Sequence, residues 1–115
     1  MADTESDLLR SSIDLLIFKA LSWGPMHGYA ISEWIENATA DKMLLEEGTL
    51  YPALHRLERG GWIASEWGFS DNNRRAKFYT LSAAGRRRLK AESTAWHSYA
   101  EAIAVALRRT RPGVT

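Results

Sequence analysis

The 115-residue chain carries 45% hydrophobic side chains and no cysteine, which suits one domain with its own core and excludes a disulfide framework or a thiolate metal site. Its formal net charge of +1 hides a division: residues 1–54 hold 3 basic and 9 acidic side chains, whereas residues 55–90 hold 9 basic and 3 acidic. Such a division turns a cationic face toward a polyanion, which an even spread of the same charges would not.

The apolar run Leu15 to Phe18 is broken by Lys19, and the N-terminal MADTESD is acidic. Neither a membrane span nor a signal peptide is expected, so the chain reads as cytoplasmic with no membrane partner. Residues 1–6 are polar. From Asp7 onward Leu8, Leu9, Ser12, Ile13, Leu16, Ile17, Ala20 and Leu21 repeat as in a broadly buried helix, closed by Trp23-Gly24-Pro25. A second helix opens at His27-Gly28-Tyr29, turns Ile31, Trp34 and Ile35 inward and runs to about Ala38. Thr39 to Glu46 is a connection in which Met43 and Leu45 suggest a short extended segment. Trp23, Trp34, Trp62 and Trp67 read as core or strand-face residues.

The third helix starts near Gly48, with Gly48-Thr49 as cap-like residues and Pro52 in the first turn, where its missing N–H costs nothing. Leu50, Leu54 and Leu57 mark its buried face and leave Thr49, Tyr51, Pro52, His55, Arg56 and Arg59 on the other. Gly60-Gly61 end it. The period then changes to 2: Trp62, Ala64 and Glu66 alternate with Ile63, Ser65 and Trp67. Ser70-Asp71-Asn72-Asn73 is a hairpin turn, followed by the cations Arg74, Arg75 and Lys77 and a second strand through Phe78, Tyr79 and Leu81. A polar-faced helix beside a basic hairpin is the layout of a winged helix-turn-helix, whose helix enters the DNA major groove while the hairpin reaches the flanking backbone or minor groove.

From Ser82 the chain is helical again, over roughly Ala83 to Arg109, with Leu89, Trp96 and Ile103 at seven-residue steps and Arg111-Pro112-Gly113 as the stop. Such a helix is about 40 Å long at 1.5 Å per residue, and it overshoots a domain whose expected radius of gyration is ~13 Å. Its far half needs a partner, and the simplest is the same helix of a second copy. The fold expected is therefore mainly α with a small β-hairpin: a winged helix-turn-helix domain over residues 1–82 and a C-terminal dimerisation helix over residues 83–115, forming one compact unit.

With these residues laid out, the chain resembles the PadR family of bacterial transcriptional regulators in its short form. The resemblance is carried by GPMHGYAI at 24–31, EGTLYPALHRLERGGWI at 47–63 and EWGFSDNNRRAKFYTLSAAGRRRL at 66–89. It departs at Ser11-Ser12, where relatives often have Gly-Thr, and at Gly60-Gly61, where a charged residue followed by Gly is commoner. The resemblance implies a homodimer that represses genes by binding a pseudo-palindromic DNA operator and, in many relatives, releases it when a small aromatic or cationic effector binds near the dimer interface. It also implies that Thr49, Tyr51, His55 and Arg56 lie on the DNA-reading helix and Arg74, Arg75 and Lys77 on the wing.

Among these, Arg56 is the expected base reader, because bidentate Arg to guanine is the commonest specific contact; its plainer alternative is an exposed pair with a nearby Glu58 or Glu66. Tyr51 stands in the first turn, where a hydroxyl reaches base edges or phosphates; its plainer alternative is a partly buried packing residue. For Arg74, Arg75 and Lys77 the plainer alternative is a solvated hairpin tip. Arg86, Arg87, Arg88 and Lys90 cannot all face DNA, and about two of them simply solvate the last helix. Trp96, with Tyr99 and Ile103 as walls, is the candidate effector and dimer pocket, with interface packing as the plainer reading. His27, His55 and His97 are too scattered for a metal site, and no cofactor is expected. Glu46-Glu47 adjoin but lack an acid/base partner, so the chain does not read as an enzyme. The competing class is a winged helix that binds another protein instead of DNA.

Overall fold

The computed structural model describes residues 4–112, with side chains from residue 10 onward; Leu8 and Leu9, expected on the buried face of the first helix, therefore have side chains outside the described residues. The chain runs α1 (Thr4–Leu21), β1 (Met26–His27), α2 (Gly28–Ala38), α3 (Glu47–Arg59), β2 (Ile63–Phe69), β3 (Arg75–Leu81) and α4 (Ala83–Arg108). The three strands form one antiparallel sheet in the order β1-β3-β2.

The core joins Ile13, Ile17, Phe18 and Leu21 of α1 to Ile31 and Ile35 of α2, Leu50, Leu54 and Leu57 of α3, and Ile63, Tyr79 and Leu81 of the sheet. Each fully buried side chain of this size contributes ~1.5–3 kcal/mol against exposure, so the apolar stripes read from the periodicity are what hold α2 and α3 against α1. Trp34 and Trp62 pack half-buried at the edge of this core. Trp23 does not join it: it is exposed beyond the end of α1, where the Lys19 ammonium lies 5.1 Å from its ring centroid. Trp67 is likewise exposed, on the hairpin.

Three further expectations are corrected. β1 escaped notice because two residues are too few to show a period of 2; only its register on β3, Met26 opposite Tyr79 and His27 opposite Phe78, makes it a strand. Met43 and Leu45 form no strand. The connection is instead folded on itself through left-handed Ala40 and Asp41 (φ 53° and 63°). Thr39 Oγ1 donates to the Ile35 carbonyl at 2.8 Å and accepts the Met43 N–H at 3.1 Å, while Ser32 Oγ donates to the Leu45 carbonyl at 2.8 Å. Finally, α3 starts at Glu47, near Gly48 as expected, but with another cap. Glu46 is its cap residue, with a carbonyl that accepts the Thr49 and Leu50 N–H groups, both at 2.9 Å. Pro52 thus lies inside the helix, past the first turn, and leaves the Gly48 carbonyl without its i+4 donor.

α4 is anchored only at its near end. Ser82 caps it by accepting the Gly85 N–H at 3.1 Å, and its hydroxyl also donates to the Gly61 carbonyl at 2.7 Å. Gly85 presses so closely on the α3–β2 junction that a Cβ there would lie 2.1 Å from the Trp62 carbonyl oxygen. From Thr94 on the helix is exposed and projects from the body, giving overall dimensions of 67 × 30 × 27 Å and a radius of gyration of 17.1 Å. No helix among the described residues is long and apolar enough to cross a membrane.

Candidate nucleic-acid interface

The two faces of α3 divide as its sequence spacing requires: Leu50, Ala53, Leu54 and Leu57 are buried, and Thr49, Tyr51, Pro52, His55, Arg56 and Arg59 are exposed. Tyr51, 45% exposed, leans toward the start of α2, where Gly28 makes room for it. A Cβ at Gly28 would stand 2.6 Å from the Tyr51 hydroxyl oxygen. The α2 terminus beside it is capped by His27, whose Nδ1 accepts the Ala30 N–H at 3.2 Å and whose ring meets Phe78 edge-on at 5.5 Å.

Arg56 is placed otherwise than expected for a base reader. Its guanidinium turns inward and forms a two-bonded fork with Asp14 of α1, at 2.9 and 2.7 Å. Asp14 is 2% exposed, the one charged residue buried among the described residues. Burying a carboxylate costs several kcal/mol unless it is paired and hydrogen-bonded, so the fork is what allows Asp14 to stay charged inside. Those hydrogen bonds raise the Arg56 pKa above its ordinary range against the opposing effect of burial, with the Asp14 charge adding to the rise. The alternative partners Glu58 and Glu66 do not hold it.

A second arginine completes the arrangement. Arg88 of α4 approaches Asp14 at 3.5 Å, donates through Nε to Glu92 one turn on, and lies over the rings of Trp62 and Phe18 at 4.7 and 5.1 Å. Of the four cations at the start of α4, Arg86, Arg87 and Lys90 are exposed and Arg88 is not. Neither Asp14 nor Arg88 was singled out in the sequence for this role. The available signal was a lone carboxylate within the apolar series Ile13 to Phe18, which calls for a buried cation without saying which.

The hairpin is a paired two-stranded ribbon. Its register sets Ser65, Trp67 and Phe69 opposite Tyr79, Lys77 and Arg75, so these six share one face. The turn closes with the Ser70 N–H donating to the Arg74 carbonyl at 2.8 Å, and Asn73 takes the left-handed conformation (φ 59°) that its side chain tolerates. Arg74 and Arg75 are exposed at the tip, and the Arg75 guanidinium stacks 4.6 Å over the Trp67 ring. Lys77 is drawn partly inward, 3.6 Å from Glu58 of α3, and Glu58 also accepts the Ser65 hydroxyl at 2.5 Å. That carboxylate joins helix to hairpin. Beside it burial raises the Tyr79 pKa, and the charges of Glu58 and Tyr51 add to the rise.

Helix and hairpin flank one open groove. Tyr51, Arg74, Arg75 and Lys77 line it together with His27, Tyr29, Glu33 and Trp67. Thr49 and His55 are exposed on α3 outside the groove. A second groove, of about 390 Å³, runs between α1 and α4 and is lined by Leu15, Leu16, Met43 and Trp96 with Ser12, Lys19, Ser93 and His97. Tyr99 and Ile103, expected as walls beside Trp96, lie farther along α4, exposed and outside that groove.

Residues 17–91 match the transcriptional regulator PadR-like family. The chain is similar to the solved structure of a transcriptional regulator from Clostridium thermocellum, with 31% identity, a TM-score of 0.74 and coverage of 84% of this chain and 94% of that one. It is also similar to a PadR family transcription regulator from Clostridium difficile, with 29% identity, a TM-score of 0.72 and coverage of 83% and 97%. An uncharacterised Lysinibacillus sphaericus protein is 29% identical over 98 residues, which cover 85% of this chain and 90% of that protein. With the family matched over most of its length and the winged-helix architecture in place, the chain belongs to the PadR-like family of transcriptional regulators, DNA-binding proteins that control transcription.

Proposed function

We propose that this regulator acts as a homodimer that binds a pseudo-palindromic operator and represses transcription from it. The observation that carries the proposal is the single groove flanked by the exposed end of α3 and the cationic hairpin, lined by Tyr51, Arg74, Arg75 and Lys77. A DNA backbone lying in it meets hydrogen-bond donors from both sides, while Thr49 and His55 face outward toward base edges. Arg56 holds the helix through Asp14 and is assigned a positioning role.

Two features support the dimer. The far half of α4 leaves Trp96, Tyr99, Ile103 and Leu107 as a series of exposed apolar side chains. The groove beside Trp96 is apolar, continuous with that series and open to a second copy. Two copies joined there present two reading helices, as a two-fold operator requires. A flat aromatic effector seated against Trp96 would compete with this packing and release DNA; repression and effector release rest on the family resemblance.

The test is a salt titration of binding to the duplex immediately upstream of the protein's own reading frame. Affinity should fall steeply with salt, with a logarithmic slope that reports several phosphates. A flat dependence would sink the reading and favour a winged helix that binds protein. A flat aromatic cation should quench tryptophan fluorescence and release the duplex; no response across a varied set of such compounds would remove the effector.

A further inference from the structure

We infer that the Asp14–Arg88 contact is a positioning device that fixes the angle between the reading helix and α4, and so selects the half-site spacing the dimer accepts. The inference rests on the dimeric reading above. Its basis is where the contact sits. α1 supplies Asp14, α3 supplies Arg56 and α4 supplies Arg88, so one carboxylate ties the DNA-facing helix to the helix that leaves the body.

The joint is placed at the root of a lever. α4 keeps half-buried residues as far as Glu92 and Ser93 and is exposed from Thr94 on. Glu92 accepts from Arg88 Nε, so the last anchored turn of α4 holds the same guanidinium that reaches Asp14. Phe18 and Trp62 lie under that guanidinium, and Trp62 occupies the junction between α3 and β2. Arg88 therefore contacts α1, α4 and the start of the hairpin at once. A tilt of α4 moves Arg88, and Arg88 cannot move without losing an ion pair or its stacking on Trp62. A planar guanidinium held by two carboxylates and stacked on aromatic rings is restricted to one orientation, as a lysine would not be.

In a dimer joined through the far half of α4, the separation of the two α3 helices is set by the angle at which each α4 leaves its body. DNA reads that separation as a count of base pairs, about 10–10.5 per helical turn between half-site centres. A stiff joint accepts one spacing, and a loosened joint accepts several with the same half-site sequence. Base reading itself does not pass through Arg88, which is covered and faces α1.

The experiment is selection from a random-sequence duplex pool, run in parallel with wild type and Arg88→Met, a change that keeps an unbranched apolar stem beside the rings. The expected result is the same half-site motif from both, paired at one dominant spacing by wild type and spread over several spacings by the variant. Bound singly, one half-site should hold both proteins within ~2-fold, because a factor of two is well under 1 kcal/mol. The same motif at the same dominant spacing, or a changed motif, would overturn the inference. Should Arg88→Met fail to fold by circular dichroism, Glu92→Gln, which removes the second carboxylate from a half-exposed site, is judged by the same two outcomes. Failure of wild type to select any paired motif would instead overturn the dimeric reading, and this inference with it.

Discussion

Arg56 and Asp14, 42 residues apart in the chain, are joined by two hydrogen bonds of 2.9 and 2.7 Å, so α3 is secured by a buried carboxylate of α1. The arginine that best fits a base-reading role by its position in the helix is spent on the fold. Replacing it should therefore be a stability event. Arg56→Met is expected to cost at most about 3 kcal/mol, the low end for stripping a buried charge of its partner, because Arg56 is itself partly exposed and Arg88 remains near Asp14. The measurement is urea denaturation, with a lowered midpoint at constant slope. A variant as stable as wild type but altered in sequence preference would return Arg56 to the DNA-reading set.

The wing cations should behave in the opposite way. Arg74 and Arg75 are exposed, and neither is in a salt bridge among the described residues, so Arg74→Ala with Arg75→Ala should leave stability within ~0.5 kcal/mol. In a mobility-shift titration the pair should weaken binding to every duplex alike and lower the salt slope by ~2. Equal loss of affinity at all salt concentrations would argue that the hairpin does not touch phosphate.

Gly85 tests the packing of α4 on the body. Any Cβ there meets the Trp62 carbonyl at 2.1 Å, a backbone atom that cannot swing aside. Gly85→Ala should destabilise by ~3 kcal/mol, the upper part of the usual range for overpacking, although alanine is the better helix former. A thermal midpoint equal to wild type would show that the α4–junction contact is looser than described.

Tyr79 gives a pH dependence with a definite sign. Burial raises its pKa, with Glu58 and Tyr51 adding to the rise, so the unfolded chain releases this proton first. The contribution is fully present below the unfolded value near pH ~10 and is lost as pH rises through the folded one. Stability should fall as pH rises past the unfolded value near ~10, less steeply in Tyr79→Phe. The raised Arg56 pKa acts only at still higher pH and leaves this window alone. Identical slopes for the two proteins in urea melts across that window would refute the assignment.

Trp96 bears on assembly. It is 47% exposed and sits where the apolar groove between α1 and α4 meets the projecting half of the helix. Trp96→Asp should sediment as a monomer with an unchanged thermal unfolding of the body, since the core does not include it. Persistence of a dimer would place the interface elsewhere.

Local pattern alone determined most of the architecture. The apolar spacing of Leu50, Leu54 and Leu57 and the outward set from Thr49 to Arg59 needed no partner to be read, because a helix imposes its period on its own side chains. The same holds for the hairpin, whose alternation and Ser-Asp-Asn-Asn turn are contiguous, and for α4, whose length exceeds what the body can cover. Tertiary structure decided what a period cannot express. Whether Arg56 pairs with Asp14, whether Arg88 is a solvated cation or a half-buried one beside Asp14, whether Met26–His27 is a strand and whether Trp23 is covered all depend on residues distant in sequence arriving at one place. The energy that settles each choice is the desolvation of a charge, a ladder of hydrogen bonds or the exclusion of water from a ring, and it exists only once both partners are in contact.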